Sequence, residues 1–215
     1  MKPYIDGKPT PMDWTQKQLN VLRSGDIRCG YLYATADNMA ALLRPNWAIF
    51  LIVRDPRDNI VSEIFYALDI HPEHALHDHF RSMQSMEQRI DTLIRGIPEG
   101  DLKRAGITEQ YARFLPWLEK TQVCTIRFED LVTDAPAQLG RLLDHLKQFG
   151  FVPDVPRSDA VTKLAIHMDP SRSNTYREGK TGGWREQFTK ANKRQFKELA
   201  GDLLIELGYE TDLEW

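Results

Sequence analysis

Two short apolar runs, Trp47-Ala-Ile-Phe-Leu-Ile-Val53 and Gln122-Val-Cys-Thr-Ile-Arg-Phe128, constrain this chain more than any other feature. Each is bounded by polar residues and is rich in β-branched side chains. Such runs are predicted to be strands buried on both faces, the kind found in parallel sheets. Strands alternating with helices give an α/β fold with a mostly parallel sheet. Two strands alone are marginal in water. Either shorter strands lie within residues 1–30 or the sheet lacks a member.

The remaining elements follow from caps and breakers. Residues 1–12 carry Pro3, Pro9 and Pro11 and read as an irregular arm, and Trp14 to Leu22 as a short helix. Thr35 opens a capped helix that stops before Pro45. Asp55 and Pro56 fit the cap and first turn of a helix carrying Ile60, Val61, Ile64, Phe65 and Leu68. Pro72 to Ile94 is predicted as one long exposed helix. Ile107 to Lys120 is predicted as another, kinked at Pro116. Asp134 and Pro136 begin a helix that reaches Phe149, and a proline-bearing connector follows. Ser171 to Trp184 is a polar loop. A final helix runs from Thr189 to Leu207 with Phe196, Leu199, Ala200, Leu203 and Leu207 inward and Gly208 as its stop. The domain reading is an arm and short helix over 1–30 and one α/β domain over 31–215, as 215 residues suggest.

Composition then removes classes of function. The formal charge of −3 argues against a nucleic-acid binder working through bulk positive charge, though it permits a local anion pocket. No stretch approaches the ~18 apolar residues of a membrane span. Cys29 and Cys124 cannot make a disulfide framework, so a reducing, cytoplasmic setting is expected.

Ligands of open α/β sheets bind beyond the carboxyl ends of the strands. Arg54-Asp-Pro-Arg-Asp-Asn-Ile-Val-Ser62 lies at such an end. It offers a guanidinium, whose fork can take two phosphate oxygens, and a helix N-terminus suited to an anion. Ser62, two turns into the helix, can reach back to the same oxygens. The alternative is that Arg54 merely pairs with Asp55 or Asp58. A second polar cluster, Asn174-Thr-Tyr-Arg-Glu-Gly-Lys-Thr-Gly-Gly-Trp184, has Arg177, Lys180 and glycines at 179, 182 and 183, which permit close backbone approach or positive φ. It is not a Walker A loop, because Asn174 stands where that motif needs glycine.

Together these segments resemble the sulfotransferases that use 3′-phosphoadenosine 5′-phosphosulfate (PAPS). Arg54 to Ser62 is similar to their 3′-phosphate motif, and Arg177-Glu-Gly-Lys-Thr-Gly-Gly-Trp-Arg185 to their second cofactor motif. Arg127-Phe-Glu-Asp-Leu131 resembles the strand-end segment between them, and Ala200 to Tyr209 the ending of bacterial members. The resemblance implies a P-loop-nucleotide-hydrolase-like fold with PAPS as sulfuryl donor and no metal. Arg54, Ser62, Arg177 and the backbone at Gly179 would hold the 3′-phosphate. Phe128 would lie near the adenine, and Trp184 would anchor the loop. Glu178 departs from the usual lysine, with Lys180 as a compensating cation.

Two family features have no match. Nothing before residue 54 resembles the loop that grips the 5′-phosphosulfate, so the chain is expected to be truncated at its amino end. The family's usual histidine base aligns with Tyr31, and a phenol, with an ordinary pKa of about 10, is a poor base; a core or substrate-lining tyrosine is the plainer reading of it. No catalytic residue is assigned, and the chain is expected to be slow or inactive toward a hydroxyl or amine of a small-molecule acceptor. The rival reading is a non-catalytic nucleotide-binding or assembly module of the same fold. The acceptor side is expected over Asp69 to Gly106. His71, His74, His77 and His79 there suggest zinc only weakly, lacking an H-E-x-x-H pattern. Glu129 and Asp130, placed on an extended strand, would point to opposite faces. An uncovered sheet would also favour self-association.

Overall fold

The computed structural model describes residues 4–5, 8–9, 17, 19–169 and 179–215. Helix α1 (Ala36–Leu42) starts where Thr35 accepts a hydrogen bond from the Asn38 amide. Strand β1 (Ile49–Val53) leads into α2 (Pro56–Phe65), whose first turn is closed by the Asp55 carboxylate accepting from the Arg57 amide. A π-helical turn, Tyr66–Ile70, continues α2. Then come α3 (His77–Ser82), α4 (Met86–Arg95) and α5 (Ile107–Ala112). Strand β2 (Val123–Arg127) is followed by α6 (Phe128–Thr133), α7 (Ala135–Gln148) and α8 (Arg157–His167). The chain closes with α9 (Trp184–Gln187) and α10 (Lys190–Glu206), the latter opened by a reciprocal cap between Thr189 and Asn192.

The two apolar runs pair as parallel strands, in register from Ile49 opposite Val123 to Val53 opposite Arg127. They are not fully buried. Ile52 is 59% exposed, because among the described residues each strand has one neighbour and Ile52 stands toward the unpaired edge, whereas Ile126 opposite it is buried. The short ladder of Tyr4–Ile5 with Lys8–Pro9 is antiparallel and stands apart from this sheet.

The main core is built by helices. Ile60 and Ile64 of α2, Ile90 and Leu93 of α4, and Phe196 and Leu204 of α10 are all within it. A smaller core under β2 gathers Leu19, Ala41, Leu42, Trp117 and Val123. Helix α2 is thus clamped on its apolar side, which fixes the segment just before it.

Several elements differ from expectation. Residues 72–94 are two helices, because Ser85 caps α4 by accepting from the Gln88 amide. The 107–120 helix ends at Ala112, and Pro116 sits in a separate 3₁₀ turn, Leu115–Trp117. Helix α8 occupies a stretch to which the sequence reading assigned no element. In α10 the backbone kinks at Ala200 (φ −147°, ψ 15°), and the Thr108 hydroxyl donates to the Leu199 carbonyl at 2.6 Å. A side chain entering the helical ladder is a recognised cause of such a kink. The shift in phase leaves Leu199 44% exposed instead of inward. No helix among the described residues is long and apolar enough to cross a membrane.

Candidate functional site

Register places the first site residues. Because Val53 lies opposite Arg127 on adjacent parallel strands, Arg54 and Phe128 emerge side by side at the carboxyl end of the sheet. The Arg54 guanidinium lies over the Phe128 ring at 4.5 Å from its centroid. Its Nη2 donates to the Lys180 carbonyl at 3.2 Å, and its buried Nε has no partner. Ser62 and Gly179 line the same cleft. Gly179 has φ 62° and Gly182 φ 76°, so the loop takes the left-handed turns that its glycines permit.

The loop is docked onto α2 by Asp58. One carboxylate oxygen accepts from the Gly182 amide at 2.6 Å and the other from the Trp184 amide at 2.9 Å. Asp55 is occupied too: it caps α2 and takes a two-point ion pair from Arg57 at 2.7–3.2 Å. Neither carboxylate therefore neutralises Arg54, and the paired-charge alternative for this arginine does not hold.

Residues 35–208 match the sulfotransferase domain. The chain belongs to the sulfotransferase domain family. Among solved structures it is similar to mouse sulfotransferase SULT7A1 complexed with PAP (TM-score 0.59, 17% identity, 81% of this chain and 65% of that one). It is also similar to retinol dehydratase in complex with androsterone and inactive cofactor PAP (TM-score 0.58, 16% identity, 87% and 56%). A third similar structure is retinol dehydratase with retinol and PAP (TM-score 0.56, 17% identity, 87% and 56%). At these identities the likeness shows the fold, which is the sulfotransferase fold expected from the motifs. The chain spans roughly three-fifths of these structures' length. A search of curated proteins returned no match.

Within this sulfotransferase domain, Arg54, Ser62, Phe128 and Gly179 face one cleft, whereas Arg177 and Glu178 lie outside the described residues. Trp184 is buried, as an anchor for the loop should be. Tyr31 is not a core residue, being 68% exposed, and it lies among the residues lining the cleft. Glu129 and Asp130 sit in the first turn of α6 and not on a strand. Glu129 has a structural role: Oε1 accepts from the Asp55 amide at 3.0 Å and Oε2 from the Tyr209 hydroxyl at 2.9 Å. Burial pushes the Tyr209 phenol well above its ordinary range, and the Glu129 charge adds to the shift.

Sequence reasoning missed the scaffold beneath the site. Arg57 is 1% exposed and lies against both Trp184 (3.8 Å to the ring centroid) and Trp215 (4.4 Å) while also pairing with Glu210 at 2.6 Å. Tyr111 donates its hydroxyl proton to the Arg54 carbonyl at 3.2 Å and takes a hydrogen bond from Asn59. Its phenol is raised far above the ordinary value, chiefly by burial. An arginine inside an otherwise helical first turn was the one available signal, and it named no partner.

The end of α2 and the segment that follows it have a different character. Glu63 pairs with Arg104, and His71 and His74 pack on the Tyr66 ring at 5.5 and 5.8 Å. His74 Nδ1 accepts from the Leu76 amide, which leaves its proton on Nε2. Burial lowers the His74 pKa, with Glu63 opposing and Arg104, His71 and His77 assisting. Among the described residues no three His, Cys, Asp or Glu side chains converge as a metal set.

Proposed function

We propose that this domain binds a 3′-phosphoadenosine nucleotide at the carboxyl end of β1 and β2 and, with PAPS as donor, transfers a sulfuryl group to a hydroxyl or amine of a small-molecule acceptor. The observation that carries the reading is Arg54. Its guanidinium is held by Phe128 and the Lys180 carbonyl, faces the cleft, and keeps a buried Nε without a partner. A planar cation fixed beside a glycine turn and a helix N-terminus suits a phosphate. Arg177 and Ser62 are the further ligands in this reading, and Phe128 lies where an adenine would stack.

Sulfuryl transfer is an in-line displacement. The acceptor oxygen or nitrogen forms a bond to sulfur as the bond from sulfur to the nucleotide phosphate oxygen breaks. The acceptor's proton passes to a base, and the leaving oxygen's charge is met by cations. We take the reaction to be cytoplasmic and metal-free. Turnover by this chain is read as slow, since Tyr31, a phenol and a poor base, aligns with the family's histidine.

One observation favours a second reading, a nucleotide-binding or assembly module without turnover. Among the described residues β1 and β2 each have one strand neighbour, and Ile52 is 59% exposed at that open edge. An open edge also fits self-association of the domain.

Calorimetry with 3′,5′-adenosine bisphosphate, paired with a transfer assay using radiolabelled PAPS, tests both readings. Binding with transfer supports the enzyme, and binding without transfer supports the module. No binding at any concentration overturns the nucleotide reading.

A further inference from the structure

The residues that follow α10 are not a loose end. Tyr209, Glu210, Leu213 and Trp215 each grip a different part of the molecule, and two of the grips lead to the same residue. By the first route, Trp215 stacks on Arg57 and Glu210 pairs with it at 2.6 Å, and Arg57 in turn holds both carboxylate oxygens of Asp55. By the second, the Tyr209 hydroxyl holds Glu129, which accepts from the Asp55 amide. Asp55 is bonded to Arg54 in the chain and is the cap of α2. The segment thus takes hold of both the side chain and the backbone of the residue next to the phosphate-site arginine.

The segment itself is well seated. Arg127 stacks on Tyr209 at 4.9 Å and donates to the carbonyls of Leu207 and Gly208. Gly208 has φ 68°, and a Cβ there would lie 2.6 Å from the Arg127 Nη2. Leu213 packs where Gly201 leaves room, and Lys197 Nζ lies 5.0 Å from the Trp215 ring. Trp215 meets Trp184 edge-on at 5.4 Å, so it supports the residue that ends the glycine loop.

We propose that residues 209–215 are a positioning strap for the nucleotide site, holding Asp55 and Arg57 so that Asp58 can dock the Gly182–Trp184 loop against Arg54. Tyr209, Glu210 and Trp215 are positioning residues and touch no ligand. Their role rests on the nucleotide reading only for its consequence in affinity. Its structural part, the docking of the loop, stands on its own.

The test therefore has two readouts, on the full chain. Hydrogen exchange of the Gly182 and Trp184 amides reports docking, and calorimetric titration with 3′,5′-adenosine bisphosphate reports affinity. Trp215→Ala is expected to speed exchange at these two amides and to weaken the nucleotide on the order of 10-fold, a typical coupling between linked sites. Trp215→Phe is expected to restore most of both. Tyr209→Phe and Glu210→Gln, milder changes that keep the proposal testable should Trp215→Ala fail to fold, are expected to speed the same exchange by a smaller factor. Ile90→Val in the helical core serves as control, lowering stability without faster local exchange at the loop. Unchanged exchange at Gly182 and Trp184 in the folded variants overturns the strap. Faster exchange in a protein that binds no nucleotide at all supports the strap and overturns the nucleotide reading.

Discussion

The carboxyl end of the β1–β2 sheet and the open edge of β1 are in opposite conditions. At the carboxyl end the charged groups in the first turn of α2 have fixed partners: Asp55 with Arg57, Arg57 with two tryptophans and Glu210, Asp58 with two loop amides. At the open edge Ile52 is exposed, and among the described residues no further strand pairs with β1. The first region is set before anything binds, whereas the second is unpartnered among the described residues. Preorganisation is thus concentrated where a phosphate would sit. Fixing charged groups in advance spares binding the cost of ordering them.

The sharpest way to break this contrast is to remove Arg57. Arg57→Ala leaves Asp55 and Glu210 facing an empty slot beside two indoles, and loss of one partner of a buried pair costs about 3–5 kcal/mol. Urea unfolding should show a drop of that order, and Arg57→Lys should not restore it, since a point charge cannot replace the stacked fork. A stability unchanged within error would mean that the pillar is ornamental.

Next come two isoleucines chosen from the two regions. Ile64→Ala, in the helical core, should cost about 2–5 kcal/mol. Ile52→Ala, at the open edge, should stay within about 0.5 kcal/mol in the monomer. Equal costs would show that the edge is covered in solution, and sedimentation at rising concentration would identify self-association as the cause.

The smallest effect concerns acid. Burial lowers the pKa of His145, which packs between Phe50 and Phe149, and of His74. An imidazole kept neutral by the fold binds fewer protons than its unfolded counterpart. Its contribution is therefore complete above the unfolded value of about 6.5 and falls as pH drops from there toward the lowered folded value. Thermal unfolding across that window should show declining stability, and His145→Gln should flatten the decline. An identical slope in the variant would remove His145 from the account.

What could be read in the sequence was local. Thr35, Asp55 and Asp134 each cap the helix that they were expected to cap, because an oxygen and an amide two or three residues apart suffice. The parallel pairing followed from two apolar runs separated by helices. Arg57 was not legible, because its partners stand at positions 55, 184, 210 and 215, and nothing in the spacing shows that they meet. The exposure of Ile52 was hidden for a similar reason: an apolar run shows that a strand suits burial, not that another strand lies on each side of it. The break in residues 72–94 came down to Ser85, a single cap inside a polar stretch. The kink at Ala200 depends on a hydroxyl from Thr108, remote in the chain.

The claim at the centre is that Arg54 reads the 3′-phosphate of a nucleotide. It is tested most directly by calorimetric titration of wild type and Arg54→Ala with 3′,5′-adenosine bisphosphate and with 5′-adenosine monophosphate, which lacks that group. Charge-assisted hydrogen bonds of this kind contribute about 1.5–3 kcal/mol, so the wild type should prefer the bisphosphate by at least ~10-fold and that preference should shrink by ~10-fold or more in the variant, which stays folded. Equal affinity of the wild type for the two nucleotides, or a preference undiminished in Arg54→Ala, would contradict the account.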